Sequence, residues 1–247
     1  MSAAADHHST TMLLRKLESI AILSDEERGV IQGLPARTRT LLSGQDIVRD
    51  GDQPSQCCLI LDGWLCRYKL LGEGRRQIYS FHVAGDIPDL QSLHVPVMDH
   101  SLGTLTKATV AFIPHESVRE LMLHHQRLGA ILWRETLIDA AIFRRWMLGM
   151  GRKTAYGRTA HLFCELYLKQ EAVGLAGEDR CPLPITQSEL ADAMGMSNVH
   201  VNRVLQEMRS NGLITLRGST LTIHDWDALR RSAEFDPAYL HLEKPAA

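Results

Sequence analysis

The sequence predicts an α+β fold in which an antiparallel β-barrel of the jelly-roll type is followed by a long helix and a C-terminal winged helix-turn-helix. Residues 37–114 contain short runs of β-branched and aromatic residues, which glycines interrupt at about the 8- to 12-residue spacing of antiparallel barrels. Residues 115–150 carry apolar residues at helical spacing. A short helix, a glycine turn and a second helix follow residue 186.

The length and composition are those of an ordinary globular protein. The 247 residues can form two compact domains, and 45% hydrophobic with 23% charged residues exclude a disordered tail, a collagen-like repeat and a disulfide-dense miniprotein. No apolar run approaches the roughly 20 residues that a bilayer requires, and the N-terminus lacks the layout of a signal peptide. We therefore expect a soluble, cytoplasmic protein without a membrane partner.

The cysteines and histidines do not form a metal-binding or redox pattern. The five cysteines are odd in number and lack C-x-x-C spacing, so we predict reduced thiols that serve as small core residues. The twelve histidines are scattered, and the adjacent pairs point in different directions along a helix. The cysteines are Cys57, Cys58, Cys66, Cys164 and Cys181.

Residues 10–114 are expected to form the first domain. From Thr10 to Leu34 the pattern is amphipathic and helical, with Ser24 and Glu27 spaced as a capping box. The clearest strands are predicted at Cys57–Leu61, Leu65–Leu71, Gln77–Val83 and Leu105–Ile113.

Residues 115–150 are predicted to be mainly helical, with a break near residues 127–129 and a hinge at Gly149-Met150-Gly151. Apolar residues occupy most of the circumference of this helix, among them Ile131, Ile138 and Ile142. A helix that is apolar on most sides must be buried on most sides. The barrel can cover one face, and a second copy of the helix would cover the rest, which predicts a homodimer. An intramolecular core helix is the alternative.

Residues 151–247 contain the motif that points to function. Thr186 and Glu189 form a second capping-box pattern, Gly195 stands where a turn needs a positive φ, and Ser197 is a good N-cap for a second helix. Ala191, Val201 and Val204 are apolar where the two helices would cross. These features predict a helix-turn-helix, preceded by a helix over Tyr156–Glu171 and a loop over Gly174–Pro184.

A β-hairpin is predicted after the helix-turn-helix, with strands Leu213–Leu216 and Leu221–Ile223 around a turn at Arg217-Gly218-Ser219-Thr220. A helix-turn-helix with such a wing is typical of proteins that place one helix in the major groove of DNA. Composition does not add support, because residues 182–223 carry three basic and three acidic side chains. However, the start of the second helix, Asn198 to Arg203, contains no acid.

The order of these elements, with the motifs Ile47-Val48-Arg49-Asp50-Gly51-Asp52, Leu59-Ile60-Leu61-Asp62-Gly63 and Gly85-Asp86, resembles the CRP/FNR family of bacterial transcription regulators. The resemblance covers roughly residues 14–223. It implies a sensor barrel similar to cyclic-nucleotide-binding domains, a helix that forms a homodimer, and a DNA-binding domain that binds a two-fold symmetric operator. RNA polymerase is then an expected partner.

The resemblance also assigns DNA-contacting positions. Base contacts are expected from Asn198, Val199, Asn202 and Arg203. Val199 departs from the glutamate of many members, which accepts a hydrogen bond from cytosine, so an unusual operator half-site is expected. Phosphate contacts are expected from Thr186, Gln187, Ser197, His200 and Arg217.

The matching effector pocket extends from Gly85-Asp86 to His100-Ser101. In family members that bind cyclic AMP, a glutamate contacts the ribose and an arginine pairs with the phosphate; here Asp86 and His100 replace them. A neutral histidine offers at most one donor instead of a charged bidentate fork, so we expect no ordinary cyclic AMP binding.

Other cofactors are not expected. An iron–sulfur cluster of the family's oxygen sensors needs an N-terminal cysteine cluster, and no cysteine precedes Cys57. Haem ligands could come from His82, His100 or a cysteine, but these are more simply core or surface residues. An unknown small effector, or none, is left open.

The favoured function is therefore a dimeric transcription regulator. The alternative is a ligand-binding or regulatory-interaction protein with a vestigial helix-turn-helix. An enzyme is not expected, because G-x-S-x-G, Walker, H-E-x-x-H and paired-carboxylate patterns are missing from the sequence.

Overall fold

The computed structural model describes residues 10–242. Within them the chain divides into two compact units, the first formed by residues 10–69 and 80–139 and the second by residues 70–79 and 140–241. The first unit is rich in β-strands and the second is mainly helical. The predicted α+β fold is confirmed.

The first unit begins with helices α1 (Thr11–Glu18) and α2 (Asp25–Gln32). The Ser24 hydroxyl accepts a hydrogen bond from the Glu27 amide, and the Glu27 carboxylate accepts one from the Ser24 amide at 2.8 Å, so the predicted capping box is confirmed. Leu13, Leu17 and Ile31 are buried and fix these helices to the unit.

Two antiparallel sheets form the body of this unit. One has the strand order β1-β7-β3 and the other β2-β6-β4-β5. The strands are β1 (Arg37–Leu41), β2 (Asp46–Val48), β3 (Gln56–Asp62), β4 (Leu65–Leu70), β5 (Arg76–His82), β6 (Ser101–Thr104) and β7 (Ala108–Pro114). Ile60 and Val110 from the first sheet share a core with Leu65 and Leu102 from the second, which places the core between the sheets.

The predicted strand Leu105–Ile113 is wrong in its first part, because β6 ends at Thr104 and β7 begins at Ala108. Leu105 donates its amide to the Trp64 carbonyl at 2.8 Å, and the Thr106 hydroxyl accepts from the Trp64 amide at 3.0 Å. These bonds to the β3–β4 turn take residues 105 and 106 out of the sheet ladder.

Helix α3 (His115–His124) precedes the long helix α4 (Gln126–Arg152). The break between them lies at His125, earlier than predicted. The predicted hinge at Gly149-Met150-Gly151 is wrong, because α4 continues through it and the Lys153 amide still donates to the Gly149 carbonyl at 3.0 Å. A glycine costs only about 1 kcal/mol inside a helix. A Cβ on Gly149 would lie 3.7 Å from the Cβ of Arg158, an ordinary van der Waals distance, so the packing of α4 does not require glycine here.

The two sides of α4 differ in a way that the apolar pattern did not reveal. Ile131, Ile138 and Ile142 are buried within the single chain. They lie on the side of the helix opposite to Trp133 and Leu137, which are exposed. The three isoleucines that were expected to mark the dimer contact therefore belong to the chain's own interior.

The second unit contains α5 (Ala155–Ala172), α6 (Gln187–Met194), α7 (Asn198–Ser210) and α8 (Trp226–Ala233). The predicted hairpin is present as β9 (Ile214–Arg217) and β10 (Thr220–Ile223). The segment predicted as a loop over Gly174–Pro184 includes a further strand, β8 (Arg180–Pro182), which pairs with β10 through Cys181 and Leu221. A strand of three residues is too short to leave a periodic signal.

Residues 70–79, which run from the end of β4 through the first half of β5, belong to this second unit. The Arg76 guanidinium lies 2.8 Å from the Asp192 carboxylate of α6. The Gln77 side chain donates to the Ala193 carbonyl at 3.3 Å. The first two residues of β5 are thus fixed to the carboxyl-terminal end of α6.

All five cysteines lie in the described part of the chain, and each is a buried thiol. Burial raises the pKa of Cys164 and of Cys181 to about 12. The prediction that these residues pack as small core side chains is confirmed. None of the helices within residues 10–242 is both long and apolar enough to span a membrane.

Candidate DNA interface and sensor interior

The first helix of the helix-turn-helix, α6, begins with the predicted capping box. Thr186 accepts from the Glu189 amide at 3.2 Å, and Glu189 accepts from the Thr186 amide at 2.7 Å. The Thr186 hydroxyl also donates to the Glu189 carboxylate at 2.8 Å. Because the Thr186 hydroxyl already donates to Glu189, it is not available to donate to a phosphate. Gln187 is therefore the better side-chain donor at this end of the helix.

The turn between α6 and α7 has the predicted geometry. Gly195 adopts a φ of +59°, and a Cβ there would lie 2.6 Å from the Met150 Cε. Ser197 then caps α7 by accepting from the His200 amide at 3.2 Å. The Met150 methyl is the end of a flexible side chain and can move, so the turn requires glycine for its conformation rather than for its packing. Helix α7 has a well-defined start.

Helix α7 has one buried and one exposed side. Its buried residues are Val201, Val204, Leu205 and Met208. Asn198, Val199, Asn202 and Arg203, the four predicted base-reading residues, are all exposed. The structure thus brings these residues together on one surface at the beginning of the helix.

The predicted phosphate contacts are arranged around this surface. Gln187 and Ser197 are exposed at the starts of α6 and α7, and Arg217 is exposed beside the β9–β10 turn. His200 is half-buried, and its backbone amide is already bonded to Ser197. Gln187, Ser197 and Arg217 are the most accessible donors of the predicted set.

The acidic residues of this region are largely engaged in intramolecular contacts. Asp192 pairs with Arg76, and Glu189 accepts the bonds of its own helix cap. Arg203 and Arg217 are exposed. The surface is therefore more favourable to a polyanion than the neutral composition suggests, because contacts made elsewhere in the unit partly neutralise the acids.

In the first unit, the predicted effector position Asp86 is occupied by the chain's own groups. Its carboxylate lies 3.0 Å from Lys16 Nζ, lies 3.3 Å from His82 Nδ1 and accepts from the Val83 amide at 3.3 Å. Gly85 lies close beneath α1, since a Cβ there would be 2.8 Å from the Met12 carbonyl oxygen. These two residues join α1 to the segment that follows β5.

His100 and Ser101 are also buried. His100 Nδ1 lies 2.6 Å from the Asp99 carboxylate, which can only accept a hydrogen bond. Burial, together with the charge of Arg67, lowers the pKa of His100. The neutral ring then carries its proton on Nδ1, and its Nε2 is an acceptor without a hydrogen-bond partner within residues 10–242.

Two basic residues of this interior were missed from the sequence. Lys16 Nζ contacts Glu135 at 2.9 Å as well as Asp86. Arg67 pairs with Asp139 at 2.5 Å and donates its Nε to the Pro88 carbonyl at 2.7 Å. The available signal was the spacing of Glu135 and Asp139, two acidic residues four positions apart on one side of the predicted helix.

A β-sandwich joined in sequence to a winged helix-turn-helix with an exposed second helix defines a class of DNA-binding regulators that carry a sensor-like domain. Residues 38–125 match the cyclic nucleotide-binding domain family, and residues 157–232 match the Crp-like helix-turn-helix domain family. The chain belongs to the CRP/FNR family of transcription regulators.

Curated relatives support this assignment. The nitrogen fixation regulation protein FixK of Rhizobium meliloti is 28% identical over 199 residues, which cover 79% of this chain and 87% of the relative. The transcriptional activator protein FnrA of Stutzerimonas stutzeri is 25% identical over 203 residues, covering 82% and 83%. The structure of FixK2 from Bradyrhizobium japonicum has a TM-score of 0.73 at 23% identity and covers 80% of this chain and 97% of that one, which shows a shared fold.

Proposed function

We propose that this regulator acts as a homodimer on a two-fold symmetric operator and that its sensor domain has lost the usual cyclic AMP contacts. The observation that carries the DNA proposal is the exposure of Asn198, Val199, Asn202 and Arg203 at the start of α7. Gln187, Ser197 and Arg217 would bind the flanking phosphates and fix the register of the helix.

The homodimer is supported by exposed apolar residues on α4. Trp133 is 56% exposed and Met147 is 62% exposed, and Leu137 and Leu148 are also exposed. At 3.6 residues per turn these four side chains fall within an arc of about 100°. A second copy of the same helix, related by a two-fold axis, would cover this apolar stripe. The proposed dimer contact therefore lies on the side of α4 opposite to Ile131, Ile138 and Ile142.

The loss of cyclic AMP contacts is supported by the groups around Asp86 and His100. Asp86 is paired with Lys16, and the neutral His100 presents an acceptor nitrogen where the cyclic phosphate needs a donor. Arg67, whose charge contributes to the lowered pKa of His100, is held by Asp139 and the Pro88 carbonyl. A nucleotide would have to break these contacts before it could bind.

A role in activation through RNA polymerase is supported by relatives whose names describe activators, such as FnrA. Confinement to the cytoplasm follows from the same proposal, because the DNA is there.

The test is selection of DNA from a random pool by the purified full-length protein, followed by a gel-shift assay. A symmetric consensus whose two halves are one or more helical turns apart is expected. Arg231→Ala, which removes an exposed charge on α8, serves as the control for nonspecific charge loss. Failure to retard any DNA at low salt would reject the function. In parallel, calorimetry with cyclic AMP is expected to give no saturable heat, and a tight site on each subunit would reject the sensor proposal.

A further inference from the structure

The side chain of Val199 is 82% exposed, although it is a large hydrophobic residue in the first turn of α7. The apolar residues that attach α7 to its own domain are Val201, Val204, Leu205 and Met208, and all of them are buried. Val199 therefore contributes little to the packing of the helix. A β-branched residue is also a weaker helix former than alanine, so local propensity does not explain its presence.

The neighbours of Val199 on the exposed surface are polar. Asn198, Asn202 and Arg203 carry donors and, in the amides, acceptors, which suit the polar edges of bases. Val199 offers only methyl groups. In the major groove the apolar feature of a base edge is the C5-methyl group of thymine.

We propose that Val199 is a specificity-determining residue that contacts a thymine methyl group in each half-site of the operator. The inference rests on the proposed DNA-binding function and deepens it by naming one chemical feature of the site. On binding, the exposed surface of Val199 and the thymine methyl group would both be removed from water, which favours the complex.

The position of this thymine relative to the Arg203 contact is constrained by the helix. Val199 and Arg203 are four residues apart and lie on the same side of α7, about 6 Å apart along its axis. Successive bases are about 3.4 Å apart along a strand. If Arg203 pairs with a guanine, the thymine should lie within about two base pairs of it.

The experiment uses the full-length protein and a duplex that carries the selected operator. Each thymine of one half-site is replaced in turn by deoxyuridine, which removes the methyl group and keeps the hydrogen-bonding edge. We expect one thymine near the Arg203 contact whose replacement weakens binding about fourfold, the equivalent of ~0.8 kcal/mol for one buried methyl-sized group.

Variants at residue 199 then link this effect to the side chain. Val199→Ala should bind the thymine operator more weakly and lose the sensitivity to deoxyuridine at that position. Val199→Thr keeps one methyl group and should retain part of the sensitivity. The control is Leu175→Ala, which shortens another exposed hydrophobic residue of the same unit and should leave the deoxyuridine profile unchanged.

The outcomes separate the two proposals. A wild-type protein that binds a specific operator but is indifferent to deoxyuridine at every thymine overturns the Val199 inference alone. The same holds if Val199→Ala keeps the wild-type deoxyuridine profile, or if the selected half-site contains no thymine near the Arg203 contact. A wild-type protein that selects no DNA sequence rejects the proposed function and, with it, this inference.

Discussion

Lys16 Nζ lies 3.0 Å from the Asp86 carboxylate and 2.9 Å from the Glu135 carboxylate. One lysine therefore joins α1, the segment that follows β5 and α4 within the first unit. Burial by itself would lower the pKa of Lys16, but the charges of Asp86 and Glu135 outweigh it and raise the pKa. Burial raises the pKa of Glu135, although Lys16 opposes that change. The lysine is thus held in its charged form at the centre of the contact.

Replacing Lys16 with methionine should strongly destabilise the first unit. The change leaves two buried carboxylates without their cation, which typically costs about 3 to 5 kcal/mol. Urea unfolding followed by tryptophan fluorescence measures the loss. Lys107→Met, at an exposed lysine of the same unit, is the matched control and should be nearly neutral. Adding Asp86→Asn to Lys16→Met should restore part of the lost stability, because it removes one of the two buried charges. A Lys16→Met variant as stable as the wild type would contradict the prediction.

The dimer contact should depend on the exposed side of α4. Trp133→Glu with Leu137→Glu introduces charges into the proposed interface, where they would face their symmetry mates, so the protein should sediment as a monomer and stay folded. Leu123→Glu alters another exposed leucine, on α3, and should remain dimeric. A wild-type protein that is monomeric at micromolar concentration would contradict the proposal.

Ile138→Glu tests the other side of the same helix. Ile138 is buried within its own chain, so a glutamate there should unfold the protein in preference to separating folded subunits. Circular dichroism and sedimentation on the same sample distinguish the two effects. A stable, folded monomer would place Ile138 at the interface after all.

Arg203→Ala should relax the base preference at one position of each half-site. The guanidinium fork matches the O6 and N7 acceptors of guanine, and a bidentate contact of this kind is worth about 1 to 3 kcal/mol. Selection of DNA by the variant should show one position with a flattened preference. If affinity falls equally for all sequences and the consensus is unchanged, Arg203 contacts the backbone and α7 docks in another register.

Arg217→Ala should have the opposite signature. Its exposed position beside the wing turn suits a phosphate contact, so the change should weaken binding to all sequences alike. The slope of log K against log salt should become shallower by about one unit per contact. An altered consensus would instead indicate that the wing reads bases.

Acid should destabilise the second unit through His161. The His161 ring lies 3.0 Å from the Tyr239 hydroxyl, and burial, with the charges of Lys153 and Arg145, lowers its pKa from 6.5 to about 4. As the pH falls, the His161 ring therefore becomes protonated near pH 6.5 in the unfolded chain, whereas in the folded chain it stays neutral until about pH 4. Stability from this group is present above pH 6.5 and falls as the pH drops towards 4, by about 2 kcal/mol between pH 7.5 and pH 5. NMR titration of the ring and urea unfolding at both pH values test it; a ring pKa near 6.5 would contradict the prediction.

The local motifs were predictable from sequence because their signals are local. Ser24–Glu27 and Thr186–Glu189 each lie within one helical turn, and the positive φ at Gly195 follows from the residue type. The side of α4 that faces inward was not predictable, because apolar residues surround the helix and only the packing decides which are covered. The Lys16 contact joins residues 70 and 119 positions apart, and no local pattern encodes such a pairing.

Each unit also contains buried cysteine thiols that become reactive only when the unit opens. The buried thiols of Cys57, Cys58 and Cys66 belong to the first unit, and those of Cys164 and Cys181 belong to the second. A thiolate is the form that reacts with alkylating reagents. Burial keeps all five thiols out of reach and raises the pKa of Cys57, Cys58, Cys164 and Cys181. The rate at which each thiol is labelled in the native protein therefore measures how often the surrounding unit opens, without any engineered probe.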